Sequence, residues 1–197
     1  MEIKIKNVKG LILPKFFRES DSGMDIIAAS EPNIVGERVS VTSDLWKRID
    51  YIEYATNLFI EPPKGHYEPY YAAGRDMMQK VHDKLGYTLV YPRSSISKYN
   101  LSLCNQVAII DNEYRGNIML RYNYLWQPED YHYFNGDHSN SFVSFGKPNM
   151  EKIYKRGDKC AQLVAAWKEP INWQIVEELS STERGAGGFG SSDAKKS

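Results

Sequence analysis

The pieces Thr88-Leu89-Val90-Tyr91-Pro92, Leu101-Ser102-Leu103-Cys104, Val107-Ala108-Ile109-Ile110 and Ile118 through Leu125 decide the fold. Each is short, rich in β-branched or aromatic residues, and cut off by a turn signal. Pro92 ends the first, and Asp111-Asn112-Glu113 is the turn between the last two. Leu101 to Cys104 alternates apolar and polar residues, while 107–110 reads as a buried run. Working outward, Lys4 to Val8 alternates, and Leu11-Ile12-Leu13 runs into Pro14. Asp21-Ser22-Gly23 is a turn before Met24-Asp25-Ile26-Ile27-Ala28-Ala29, an apolar strand with one carboxylate. Strands are expected again at Lys159 to Trp167 and Gln174 to Val176, and Asn135-Gly136-Asp137 reads as a tight turn. Ile49 to Ile60 fits a strand or a helix. Arg75 to Leu85 predicts a helix, with Met77, Met78, Val81 and Leu85 on one face and Gly86 as its stop. Many short strands with one helix predict a mainly β chain, an antiparallel barrel or sandwich.

The chain has 197 residues, enough for one domain, and 42% of them are hydrophobic, enough for a real core. A net charge of zero gives no electrostatic footprint for nucleic acid or an anionic membrane, so neither is an expected partner. No apolar run approaches a membrane span. Met1-Glu2-Ile3-Lys4-Ile5-Lys6 alternates like a strand and unlike a signal peptide. Cys104 and Cys160 each sit beside apolar residues; a disulfide between them is one reading, and two buried free thiols in a reducing compartment is the favoured one, with a cytoplasmic location expected. His66, His82, His132 and His138 show no metal-ligand spacing.

The end of the chain has a different character. Arg184-Gly185-Ala186-Gly187-Gly188-Phe189-Gly190-Ser191-Ser192 surrounds one aromatic with glycines, an arginine and hydroxyls. Such a segment buries too little to form a core. It reads either as a plain flexible tail or as a wrap for a phosphorylated ligand. In the second case glycine N–H groups, the Arg184 fork and the serine hydroxyls take phosphate, and Phe189 stacks on a flat ring.

Four further segments stand in order before this tail. They are Ser22-Gly23-Met24-Asp25-Ile26-Ile27-Ala28-Ala29, Pro92-Arg93-Ser94-Ser95-Ile96-Ser97-Lys98, Asn105 through Ile118 (containing Ile110-Asp111-Asn112-Glu113-Tyr114-Arg115-Gly116), and Gly157-Asp158-Lys159-Cys160-Ala161-Gln162-Leu163. With Arg-Gly-x-Gly-Gly-Phe-Gly-Ser at the end, they resemble the five motifs of the homotrimeric dUTPase family. Each motif alone is weak; five in order, with the second and third closely spaced, are specific. The resemblance covers roughly 1–42, 87–125 and 155–192. It implies a dUTPase-like distorted β-barrel or jelly-roll over 1–182 with one or two short helices, insertions near 43–86 and 126–154, and a flexible glycine-rich lid over 183–197.

The activity implied is hydrolysis of dUTP to dUMP and pyrophosphate by water attack at the α-phosphate, with Mg2+ held through phosphates and water and no protein ligand. Read alone, Asp111 is a turn aspartate satisfying its own backbone; in the family its counterpart is the general base. Tyr114, otherwise an ordinary strand tyrosine, would lie on the sugar and leave no room for a 2′-hydroxyl. Asn105, Ile110 and the backbone of 107–114 would read the uracil edge, since a mismatched donor leaves a buried group unpaired. Arg93, Ser94 and Ser95 would open a short helix whose N–H groups face phosphate. Asp25 would support Arg93 through an ion pair. Gln162, an outward strand residue or a phosphate contact, is placed by the family near the attacking water. Arg184, Gly190, Ser191 and Ser192 would take the outer phosphates as Phe189 closes over the base. The resemblance also implies a homotrimer with shared active sites, and the two extra stretches offer surface for a protein partner.

Two departures stand out. Ala108 replaces a usual glycine, and Ser95 stands where many dUTPases have glycine. Two other readings share the fold. A dCTP deaminase needs a glutamate on the strand after Tyr-Arg-Gly, where this chain has Ile118-Met119-Leu120-Arg121, and arginine cannot serve as that base. A regulatory protein would use the fold for partner binding alone.

Overall fold

The computed structural model describes residues 1–72, 75–135 and 142–186. Thirteen strands occur among them: β1 (Lys4–Ile5), β2 (Met24–Ile27), β3 (Asn33–Arg38), β4 (Trp46–Ala55), β5 (Ile60–Glu61), β6 (Lys64–Ala72), β7 (Arg75–Pro92), β8 (Leu101–Leu103), β9 (Ala108–Ile110), β10 (Met119–Tyr124), β11 (Tyr131–Asn135), β12 (Phe142–Gly146) and β13 (Lys159–Trp167). Helical structure among the described residues is confined to three short 3-10 turns, Ser94–Lys98, Pro128–Asp130 and Met150–Lys152. The mainly β, antiparallel class expected from the sequence is what forms.

Two sheets enclose the core. One runs β11-β12-β4-β10-β8, with β3 also on β4; the other runs β2-β13-β7-β6, with β9 also on β7. A small β1–β5 pair adds to them. Strand β10 shows why these sequences make these strands. Leu120, Tyr122 and Tyr124 point inward while Met119, Arg121 and Asn123 point out, the period of a sheet with one dry face. Three buried tyrosines meet edge to face at the centre: Tyr54, Tyr122 and Tyr154, with ring centroids 5.5 to 6.2 Å apart. Tyr54 donates to the Tyr154 carbonyl at 2.9 Å and Tyr122 to the Cys160 carbonyl at 2.8 Å, which offsets the burial of both hydroxyls.

Several expectations need correction. Residues 75–85 are strand, half of a long β6–β7 hairpin and not a helix. Met77, Met78 and Val81 are exposed, so their spacing did not mark a face that packs on a core, and cross-strand pairing with β6 decided the backbone. Gln174 to Val176 form no strand, and no strand among the described residues pairs with them. Within 107–110, Ile109 is 65% exposed rather than buried. Of the two free cysteines only Cys160 is buried, where desolvation pushes its thiol up to about 12; Cys104 is exposed. Residues 46–61, grouped by sequence with an extra stretch, supply Trp46, Ile52, Tyr54, Leu58 and Ile60 to the core. The turn expected at 135–137 runs into 136–141, outside the described residues.

Candidate functional site

Strand β13 sits between β2 and β7, so Gln162 lies opposite Asp25 on one side and Tyr91 on the other. Gly23 packs against it; a Cβ there would come within 3.3 Å of the Gln162 Cβ. Arg93 leaves the end of β7 and donates from Nε to Asp25 Oδ1 at 2.7 Å. Its Nη1 reaches the Ser95 hydroxyl at 3.1 Å. Lys159 Nζ holds the other Asp25 oxygen at 2.8 Å. Burial raises the Asp25 pKa, but the hydrogen bond from Lys159 and the Arg93 charge outweigh it, so the carboxyl is held below its usual value. The 3-10 turn expected after Pro92 spans Ser94–Lys98, and its first N–H groups are the ones a helical turn leaves without partners inside it. Asp25, Arg93, Ser94, Ser95 and Gln162 thus gather in one basic patch.

A second patch lies on the other edge of β7. There β9 pairs with it, Ile110 opposite Thr88 and Ala108 opposite Val90. Asn105 is exposed just before β9, and Gln106 between them takes a left-handed φ of 55°. After β9 the chain turns at Asp111, whose carbonyl accepts from the Tyr114 amide at 3.1 Å. The Tyr114 hydroxyl donates to the Asn117 carbonyl at 2.8 Å, and its ring lies over Gly116, where a Cβ would collide with it. A cleft of about 360 Å³ lies here, lined by Ile109, Ile110, Asp111, Tyr114, Ile118, Met119 and Arg121. Sequence reading did not single out Met119 and Arg121 as cleft residues. Both fall on the outer face of β10, so its alternation was a usable signal. Arg121 is fixed by Glu53 at 2.7 Å and lies over the Tyr51 ring at 4.3 Å. A larger hollow of about 810 Å³ lies at the foot of the β6–β7 hairpin. Lys4 and Glu61 there are tied to each other at 2.9 Å, and the residues with expected chemistry, Asp111 and Tyr114, line the smaller cleft.

One chain does not unite the two patches. Ile110 is level with Thr88 while Gln162 is level with Tyr91, on opposite edges of β7. At the usual strand rise and spacing, Asp111 and Gln162 are roughly 15 Å apart. Arg184 lies in an exposed turn closed by Gly185 N–H donating to the Thr182 carbonyl at 3.0 Å. Phe189, Gly190, Ser191 and Ser192 lie outside the described residues. Among the described residues, no three His, Cys, Asp or Glu side chains come together to hold a metal ion. No described helix is long and apolar enough to cross a membrane.

No family model matches the chain. It is 29% identical over 194 residues to the deoxyuridine 5′-triphosphate nucleotidohydrolase of Escherichia phage T5, covering 98% of this chain and 99% of that protein. This full-length likeness supports the dUTPase family for the chain. Solved dUTPases share its fold. That of Staphylococcus bacteriophage 80alpha, with bound dUpNHpp, superposes with a TM-score of 0.60 at 20% identity, over 96% of this chain and 97% of that one. Phage dUTPases of that kind control transfer of virulence genes by a proto-oncogenic G protein-like mechanism. The dUTPase of S. aureus phage phi11, TM-score 0.54 at 18% identity, covers 90% of this chain and 98% of that one and coordinates a structural Mg(II) ion.

Proposed function

We propose that the protein hydrolyses dUTP to dUMP and pyrophosphate. The observation that carries this reading is the cleft shared by Asp111 and Tyr114, beside the exposed hairpin backbone of 105–110. Asp111 is the general base toward the water that attacks the α-phosphate. Tyr114 lies on the deoxyribose, and Asn105, Ile110 and the β9 backbone read uracil. Arg93, Ser94, Ser95 and Gln162 meet the phosphates, and Asp25 holds Arg93 in place. Arg184 with Phe189, Gly190, Ser191 and Ser192 closes the site. Mg2+ carried on the triphosphate would supply charge neutralisation there while keeping several of its waters.

The protein works as a homotrimer, with Asp111 and Tyr114 from one chain, Arg93 and Gln162 from a second and the tail from a third. Two observations support this. The patches are too far apart within one chain to hold one α-phosphate. Ile109 is exposed, as are Ile171, Trp173 and Ile175, whose alternation suits a strand with no partner strand among the described residues. Equal concentrations of dUTP, dCTP, dTTP and UTP with magnesium, assayed for pyrophosphate, test the activity. Similar turnover of all four, or ammonia release from dCTP, refutes it.

A partner-binding role can stand beside hydrolysis. The β6–β7 hairpin exposes Tyr67, Met77, Met78 and Val81, a surface for a protein partner. Pull-down with and without residues 67–82 tests it.

A further inference from the structure

Asn112 follows the proposed base and has no role in the reading so far. The residue is only 6% exposed. Its Nδ2 donates to three main-chain carbonyls: Pro62 at 3.1 Å, Pro63 at 3.1 Å and Gly86 at 2.8 Å. Two N–H bonds are thus shared among three acceptors. These carbonyls belong to the two sides of the β6–β7 hairpin's neck, which the Gly86 amide closes by donating to Pro63 at 2.9 Å. A Cβ at Gly86 would come within 2.9 Å of Pro63 Cδ, so the neck is tight. The Asn112 carbonyl is held as well: Arg115 Nη1 donates to it and to the Tyr114 carbonyl at 3.0 Å. Asn112 Oδ1 is buried without a partner. A lone buried acceptor is costly, so the site is built around the amide's donor end.

We infer that Asn112 is a positioning residue, an anchor that fixes the turn carrying Asp111 and Tyr114 to the neck of the β6–β7 hairpin. The inference rests on the proposed dUTP hydrolysis. Asp111 and Tyr114 are both exposed, and their placement depends on the backbone of this turn. A base must come within about 3 Å of its water, and a displacement of about 1 Å can cost about a hundredfold in rate. The socket requires donors. Aspartate has the same shape but turns oxygens toward three carbonyl oxygens, and alanine leaves all three without their donor.

The test uses the full chain with Asn112→Ala and Asn112→Asp. It reads kcat and KM for dUTP and UTP, thermal stability, and amide hydrogen exchange over 111–115. The expected result is a loss in kcat of about tenfold or more for both variants. Aspartate should be no better than alanine, the dUTP-to-UTP preference should fall about threefold or more as Tyr114 loosens, and exchange over 111–115 should quicken. Asn112→Ser keeps one donor and is read in the same way, with a smaller loss, where the other two do not fold. A folded variant with wild-type kcat and preference overturns the inference. So does a kcat loss that follows the unfolded fraction alone, with preference and exchange unchanged. Failure of the wild-type protein to turn over dUTP sinks the functional reading instead. The exchange comparison then decides the anchor: faster exchange upholds it, and equal exchange removes it.

Discussion

Arg93 and Asp25 form an ion pair of 2.7 Å that spans strand β13, with Lys159 on the carboxylate's second oxygen at 2.8 Å. The pair ties the end of β7 to β2 and sets the Arg93 guanidinium beside Ser95. Asp25 is the most buried member of the trio, so losing its charge leaves the Arg93 and Lys159 cations together without their shared counter-charge.

Asp25→Asn is therefore expected to cost about 2 kcal/mol, or about 5 °C in Tm at neutral pH. The folded-state pKa of Asp25 lies below the ordinary 3.8, so the charged form is the stabilising one. That stability is full above about pH 4 and is lost as pH falls through the lower folded value. Thermal melts of both proteins from pH 7 down to pH 3 check this, and the gap between them should close only at the acid end. A constant gap would assign the loss to packing alone.

Asp111→Asn keeps the size of the side chain and removes its ability to take a proton. The expected loss falls on kcat, by on the order of a hundredfold or more, while a non-hydrolysable dUTP analogue still binds. Single-turnover kinetics with calorimetric titration separate the two effects. Near-normal kcat would move the base elsewhere.

The sequence carried the strands that alternate and end at clear turns. β8 and β10 form where 101–104 and 118–125 alternate, and Pro92 precedes the 3-10 turn of Ser94–Lys98. It misled where spacing is ambiguous. Met77, Met78, Val81 and Leu85 suit a helix on paper, but pairing with β6, invisible in any local window, made them strand. Burial failed at Ile109 because an apolar residue in a hairpin is not thereby inside the chain that carries it. Within the site, the Arg93–Asp25 pair was legible as one buried carboxylate in an apolar strand needing a cation. The Asn112 socket was not, since its acceptors are backbone carbonyls 26 to 50 residues away and carbonyls leave no mark in a sequence.

Tyr114→Ala opens space over the sugar and over Gly116, where the ring now lies. Affinity for dUTP should fall, and the preference for dUTP over UTP should narrow by about tenfold, the scale of a lost steric contact. Steady-state kcat/KM for the two nucleotides is the measurement. An unchanged ratio would leave the tyrosine a purely structural role through its 2.8 Å bond to the Asn117 carbonyl.

Shared sites make a distinct demand. Asp111→Asn and Arg93→Ala chains, each inactive alone, should regain activity when unfolded together and refolded as a mixture. Some mixed sites then draw Asp111 from one chain and Arg93 from another, both intact. With random assembly of equal parts, about one site in four escapes both lesions, so recovery should approach a quarter of wild-type turnover. Sedimentation should show a trimer. An active monomer, or no recovery in a properly mixed trimer, excludes the shared arrangement.

Removing residues 183–197 tests the tail separately from the body. No strand or core residue described here belongs to 183–186, and the remaining sequence is too rich in glycine to add a packed core. The truncated protein should keep its assembly and its Tm within about 2 °C, since surface ends contribute little to global stability. Activity should nevertheless drop by on the order of a hundredfold, because Arg184 and the glycine N–H groups no longer meet the phosphates and water is no longer excluded. Phe189→Ala should lose less than the truncation, since the phosphate contacts persist while only stacking on the base is gone. Limited proteolysis of the full chain supplies the direct reading. Cleavage after Arg184 should be fast in the free protein and slow with a non-hydrolysable dUTP analogue and magnesium. Equal rates in both conditions would make the tail a linker and leave closure of the site to other residues.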